Sequence, residues 1–272
     1  MRNQPIWWSR LLTARWSGNV APLGVERRPE GARIAFLLIH GFGAHVDEVG
    51  TLGEFLEGHD IASFAVSIAG HGTKPEDLAE TSHHDWYTSA KSGLEHVQSW
   101  GLENTFVSGL SMGGLLTLAL AARVEEIDAI VPMSPAVEFG GFLGKLVPVI
   151  KYFMPYRKVD LTTMPEMYDV MRFKYERDPL ASIQELLTLA KEVKHELSNI
   201  TCPALILQSE LDKTVDPVGA EIVFQKIGSE TKRLHLVPRA EHVLTCHPAR
   251  HQAYPLILDF VDEVVGKTTP ES

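Results

Sequence analysis

Short, predominantly apolar runs alternating with segments of helical spacing constrain this chain most. Residues 34–39 (Ile-Ala-Phe-Leu-Leu-Ile), 61–68, 105–110 and 129–133 are runs of this kind. A strand apolar at every position is buried on both faces, whereas a half-buried strand alternates. Between the runs lie stretches that suit helices: 48–56 closed by Gly58, 84–98 with Trp86, Leu94 and Val97 on one side, and Leu115 to Ala122. The order β-α-β-α-β-α-β with short connections predicts an α/β fold, a mainly parallel sheet covered by helices on both faces. Residues 18–31, rich in Gly, Pro and charge, read as irregular or short edge structure.

The alternation then stops. Residues 137–178 hold Phe139, Phe142, Tyr152, Phe153, Met154, Met164, Met167, Tyr168 and Met171, and no buried-strand run. Alternation resumes with a helix over 180–197 (Leu186, Leu187, Ala190, Val193 and Leu197 on one face), a strand over 204–208, a helix over 217–226, a strand over 233–237 and a closing helix over 249–265. Residues 1–272 therefore read as a single domain with an insertion at about 137–178 between two strands of one sheet. An apolar insertion there is expected to act as a lid over a pocket, the alternative being a helical layer that completes the core.

Within the third run's exit stands Gly109-Leu110-Ser111-Met112-Gly113, followed by Gly114. Strand, tight turn and helix put a serine at the apex, with glycines where a Cβ would keep helix and strand apart. The following helix aims its first N–H groups at whatever the serine attacks, and that end favours negative charge.

A serine hydroxyl needs a base, and the base needs an orienting acid, all from loops at the strands' C-terminal ends. His242 follows the last strand and meets that condition. His235 falls mid-strand and reads as structural. His247 and His251 read as capping or surface residues. His40 and His71 end strands ahead of the nucleophile, and the remaining histidines have no partner in the sequence. The loop after 204–208 offers Glu210, Asp212 and Asp216; Asp212 is far enough along to turn back towards His242, Asp216 reads as an N-cap before Pro217, and Glu210 is the reserve.

The order Ser111, Asp212, His242, with His40-Gly41-Phe42-Gly43 after an early strand, resembles the α/β-hydrolase superfamily. The closest likeness is to the small bacterial carboxylesterase and monoacylglycerol lipase group. It rests on the H-G-F segment, Gly70-His71-Gly72 followed by Pro75-Glu76-Asp77-Leu78, G-L-S-M-G-G, Asp212-Lys213-Thr214-Val215-Asp216-Pro217, and a late histidine followed by Val243. It spans about residues 34–264 and is weakest in the first thirty residues and in the lid. It implies a serine hydrolase that cleaves short-to-medium acyl esters or monoacylglycerols through an acyl-enzyme. Ser111 would be the nucleophile, His242 the base, Asp212 its partner, and the backbone N–H groups of Phe42 and Met112 the oxyanion hole. No metal or organic cofactor is implied. An acyltransferase, a cofactor-free haloperoxidase, a carbon–carbon hydrolase or a non-catalytic binding member would share the framework.

A net charge of −10 without a basic stripe argues against nucleic acid as a partner. Cys202 and Cys246 read as free thiols of a reducing, cytoplasmic compartment. No apolar run is long enough for a transmembrane segment, and the N-terminus lacks signal-peptide features. Trp7, Trp8 and Trp16 read as a contact with the body or with a second subunit, which makes a homodimer an expectation; an interfacial membrane segment is the other reading of that stretch.

Overall fold

The computed structural model of the protein describes residues 23–139, 154–162 and 164–268. The N-terminal tryptophans and Phe142, Tyr152 and Phe153 lie outside the described residues. In chain order the elements are β1 (Gly24–Arg27), β2 (Ile34–Ile39), α1 (Gly50–Glu57), β3 (Ala62–Val66), α2 (Pro75–Ala79), α3 (His83–Gln98), β4 (Asn104–Leu110), α4 (Met112–Arg123) and β5 (Ala129–Met133). There follow β6 (Tyr156–Lys158), α5 (Met164–Met167), β7 (Arg177–Pro179), α6 (Leu180–Glu196), β8 (Ala204–Ser209), α7 (Val218–Lys226), β9 (Lys232–Val237) and α8 (Arg250–Thr268).

The main sheet runs β1-β3-β2-β4-β5-β8-β9. Only β1 is antiparallel to its neighbour; every other pairing is parallel. Side chains on β2 alternate between two cores. Ala35, Leu37 and Ile39 join residues of α3, α4, α6 and α7 on one face. Phe36 and Leu38 join residues of α1 and α8 on the other. Burial on both faces explains why the central strands are predominantly apolar, with buried Ser63 and Ser108 among the exceptions. The α/β class expected from the sequence is therefore the fold.

Some elements differ from the expectation. The second run ends as strand at Val66, because the Ile68 N–H donates to the His40 ring (3.3 Å) instead of continuing the ladder. Residues 75–79 form a one-turn helix with Pro75 at its start, where a missing N–H is tolerated. The insertion carries a two-stranded antiparallel pair, β6 with β7, whose three-residue strands are too short to show a period in sequence. On α6 Leu186, Ala190 and Val193 are buried as expected, as is Leu197 just after it, while Leu189 takes the inner position expected of Leu187. His235 is exposed rather than structural, since β9 pairs only with β8 and its burial pattern is that of an edge.

Parallel order decides where function can sit. The loops after β2, β4, β8 and β9 all leave the same edge of the sheet, and β2 lies directly beside β4. Among the described residues no helix is long and apolar enough to cross a membrane.

Candidate active site

Ser111 occupies the turn between β4 and α4 with φ 58° and ψ −114°, a conformation strained for any side-chain-bearing residue. Main-chain contacts hold it there. Its N–H donates to the Met133 carbonyl (2.9 Å), and its own carbonyl accepts from Leu115 (3.0 Å) and Ala136 (3.1 Å). A Cβ on Gly113 would collide with the Ile39 carbonyl, and one on Gly109 with the Gly113 carbonyl. These glycines are the condition for helix, strand and serine to meet.

The Ser111 Oγ lies 2.9 Å from His242 Nε2, and His242 Nδ1 lies 2.7 Å from Asp212 Oδ2. The two contacts are satisfied together when Nδ1–H donates to the carboxylate and Nε2 accepts from the hydroxyl. Asp212 also accepts from the main-chain N–H groups of Thr214 (2.9 Å) and Val215 (3.0 Å) and from Gln208 Nε2 (3.3 Å). Burial alone would raise its pKa, but the His242 bond and charge together with the two backbone donors outweigh that and hold it below the usual carboxylate range.

Of the other acids, Glu210 accepts from the Arg239 N–H (2.9 Å) and braces the loop that carries His242. Asp216 accepts from the Val218 N–H (3.1 Å) at the start of α7, the capping role expected of it. His247 accepts from the Ala249 N–H ahead of α8 (3.1 Å), and His251 is exposed.

Phe42 follows β2 and faces this constellation. In the peptide between Gly41 and Phe42 the carbonyl accepts from His40 Nδ1 (2.9 Å) and from the Ala44 N–H (3.4 Å). A trans peptide points its N–H opposite to its C=O, so these bonds turn the Phe42 N–H away from His40. His40 is fully buried and accepts from the Ile68 N–H, and burial lowers its pKa to about 3, so it serves as a neutral donor. Met112 opens α4, where an N–H has no partner within the helix.

A cavity of about 340 Å³ opens over Ser111 and His242. Phe139, Leu161, Met167, Tyr168, Ile183 and Leu186 supply apolar wall. Arg157, Arg172, Lys174, Glu48 and Asp178 line it as well, in ion pairs: Arg172 with Glu48, and both Arg157 (2.8 Å) and Lys174 (3.1 Å) with Asp178.

Residues 30–248 match the family model described as serine aminopeptidase, S33. The chain belongs to that family. The chain is 33% identical, over 216 residues, to a thermostable monoacylglycerol lipase of Bacillus sp. (strain H-257), covering 79% of this chain and 85% of the relative. It is 26% identical over 235 residues to a carboxylesterase of Bacillus subtilis (strain 168), covering 86% and 95%. A solved structure from the metagenome-derived lipolytic enzymes LipS and LipT superposes with a TM-score of 0.82 at 24% identity, covering 89% of this chain and 98% of that one. The resemblance drawn from the motifs leads to the same group of α/β-hydrolases.

This S33 member brings Ser111, Asp212 and His242 together at hydrogen-bond distances and sets Phe42 and Met112 beside them. The charged residues that brace the Phe42 turn were missed from sequence. Glu48 lies in the short 3-10 helix Val46–Val49 just before α1, and Arg172 lies in the insertion, 124 positions on. No local spacing joins them. Two of the insertion's methionines, Met154 (50% exposed) and Met171 (67%), point to solvent.

Proposed function

We propose that the protein is a serine hydrolase of carboxylic esters, with Ser111 as nucleophile, His242 as base, Asp212 as its orienting partner, and the N–H groups of Phe42 and Met112 as oxyanion donors. The continuous Ser111–His242–Asp212 hydrogen-bond chain, at 2.9 and 2.7 Å, carries the reading. The Ser111 Oγ bonds to the ester carbonyl carbon as its proton passes to His242 Nε2. The carbonyl oxygen becomes an anion between the two donors, and the imidazolium is balanced by Asp212. The alkoxide leaves with the His242 proton, and water deacylates the serine by the same route.

Esters fit better than the peptides in the family's description. An aminopeptidase must hold a free ammonium, which needs an available carboxylate. Among the described residues lining the cavity, the buried carboxylates Glu48 and Asp178 are paired with cations, and Asp160, which is exposed, is turned to Thr162 N (3.0 Å) and Thr162 Oγ1 (2.6 Å) through Oδ1. The relatives named as monoacylglycerol lipase and carboxylesterase support the same choice. A cavity of about 340 Å³ is at the small end for ligand sites, which favours short-to-medium acyl chains or a monoacylglycerol. We assign residues 137–178 as a lid on a single domain, because Arg157, Tyr168, Arg172 and Lys174 line the cavity.

The cytoplasm suits the unpaired Cys202 and Cys246, whose thiols burial pushes up to about 12. A homodimer through the N-terminal tryptophans would make the intact chain elute earlier in size exclusion than a variant starting at Asn19, after allowance for the lost mass. Equal states would remove it.

Turnover of a p-nitrophenyl ester series should peak at short or medium chains and fall at least ~10⁴-fold in Ser111→Ala. Hydrolysis of aminoacyl anilides in preference to esters, or a maximum only at the longest chains on an oil interface, contradicts the assignment.

A further inference from the structure

The turn bearing the Phe42 N–H is braced by a buried ion pair that the reaction scheme does not use. Glu48 Oε2 accepts from the Gly41 N–H at 2.6 Å. Its other oxygen pairs with Arg172, whose side chain is 9% exposed against 3% for Glu48. The Arg172 guanidinium also lies over the Tyr168 ring, 5.8 Å from its centre. The Tyr168 hydroxyl accepts from the N–H of Val243 (3.4 Å), next to His242. A Cβ built on Gly41 would sit 2.7 Å from Glu48 Oε2 and 3.5 Å from Ser111 Cβ. The carboxylate and the nucleophile thus flank the same glycine.

Resting on the ester-hydrolase reading, we propose that Glu48 and Arg172 act as one positioning unit for the oxyanion turn. Glu48 fixes the Gly41 amide, and Arg172 cancels the Glu48 charge beside the place where the oxyanion forms.

Two physical arguments support the assignment. A buried ion pair contributes little net stability, because desolvation offsets most of the Coulomb gain, so folding alone gives weak reason for one here. A lone carboxylate flanking Gly41 would oppose the negative charge that develops on the carbonyl oxygen, and low dielectric makes that opposition large. With Arg172 in place the turn keeps a strong acceptor for Gly41 without a net charge. The insertion fastens the next peptides in the same way. Lys174 Nζ donates to the Phe42 carbonyl (2.8 Å), Asp178 balances it, and the Tyr175 N–H donates to the Gly43 carbonyl (3.0 Å). This leg of the insertion is therefore a wall of the oxyanion site.

The test is steady-state kinetics on p-nitrophenyl butyrate for wild type, Arg172→Met, Arg172→Lys, Glu48→Gln and the double variant Glu48→Gln/Arg172→Met. Circular dichroism and thermal midpoints give the folded fraction of each. Arg172→Met should lower kcat ~10²-fold with KM within about threefold, because the fault is expressed as the oxyanion forms. Arg172→Lys should restore kcat to within about tenfold of wild type. The double variant should exceed Arg172→Met by at least about tenfold, since the amide keeps an acceptor for Gly41 and removes the charge. A double variant as poor as Arg172→Met, or a kcat loss that merely follows the folded fraction, overturns the proposal. If Arg172→Met does not fold, the two charge-balanced variants decide: both should stay within about tenfold of wild-type kcat, and a ~10²-fold loss in either overturns it. Wild type without ester turnover would remove the ester-hydrolase reading and this proposal with it. Wild-type turnover with additive variants removes the pair alone.

Discussion

Around Ser111 the decisive contacts are main chain against main chain: Gly113 against the Ile39 carbonyl, the Ser111 N–H on Met133, the Ser111 carbonyl on Leu115 and Ala136. Around Phe42 they are side chain against main chain: Glu48 on the Gly41 N–H, His40 on the Gly41 carbonyl, Lys174 on the Phe42 carbonyl. Both walls belong to one cavity. The first can be built only if certain residues lack side chains, a local condition. The second needs ionic groups brought from distant parts of the chain, so its geometry rests on charge balance and on the docking of the insertion.

The largest expected effect lies on the nucleophile wall. Asp212→Asn keeps the shape but favours the wrong tautomer of His242, and kcat should fall ~10⁴-fold. A loss under tenfold, measured on the same ester, would mean that His242 is oriented by other groups.

A pair of alanine substitutions tests the contrast itself. At Gly113 the obstacle is the Ile39 carbonyl, which cannot move without the sheet, and Gly113→Ala should cost about 3 kcal/mol or more in urea unfolding. At Gly41 the obstacle is the Glu48 carboxylate, the end of a side chain, and Gly41→Ala should cost about 1 kcal/mol while still impairing kcat. Equal costs would erase the distinction between the two walls.

Acid offers a smaller, opposite probe, one that acts on the Phe42 wall. The unfolded chain takes a proton on His40 near pH 6.5, and the folded chain excludes it until about pH 3. Its full contribution is therefore present above about pH 6.5 and is lost as the pH falls through that window. Between pH 7.5 and 5 His40 should remove about 2 kcal/mol of stability. His71, whose pKa burial also lowers, acts in the same direction. A urea midpoint unchanged over this interval would show that His40 is not a buried neutral donor.

What the sequence revealed follows the same division. The parallel sheet was legible because strands buried on both faces must be apolar throughout, as 34–39 and 129–133 are. The meeting of Ser111, Asp212 and His242 was legible because a parallel sheet gathers the loops after its strands at one edge, and each of the three follows a strand. Phe42 was found by likeness to a family motif, while the groups that brace it were not found. Glu48 looks like an ordinary first-turn acid, and Arg172 and Lys174 like solvated charges among aromatics. Their meaning comes from contacts spanning 124 and 132 positions. The β6–β7 pair was hidden for a related reason: three residues per strand are too few to show a period.

The central claim is that Ser111 is a nucleophile armed by His242 and Asp212. Fluorophosphonate treatment followed by intact-mass analysis and peptide mapping tests it most directly. The account predicts a single adduct on Ser111, formed rapidly in wild type, markedly slower in Asp212→Asn and absent in Ser111→Ala. No adduct in folded wild type, or an adduct that persists in Ser111→Ala, would contradict it.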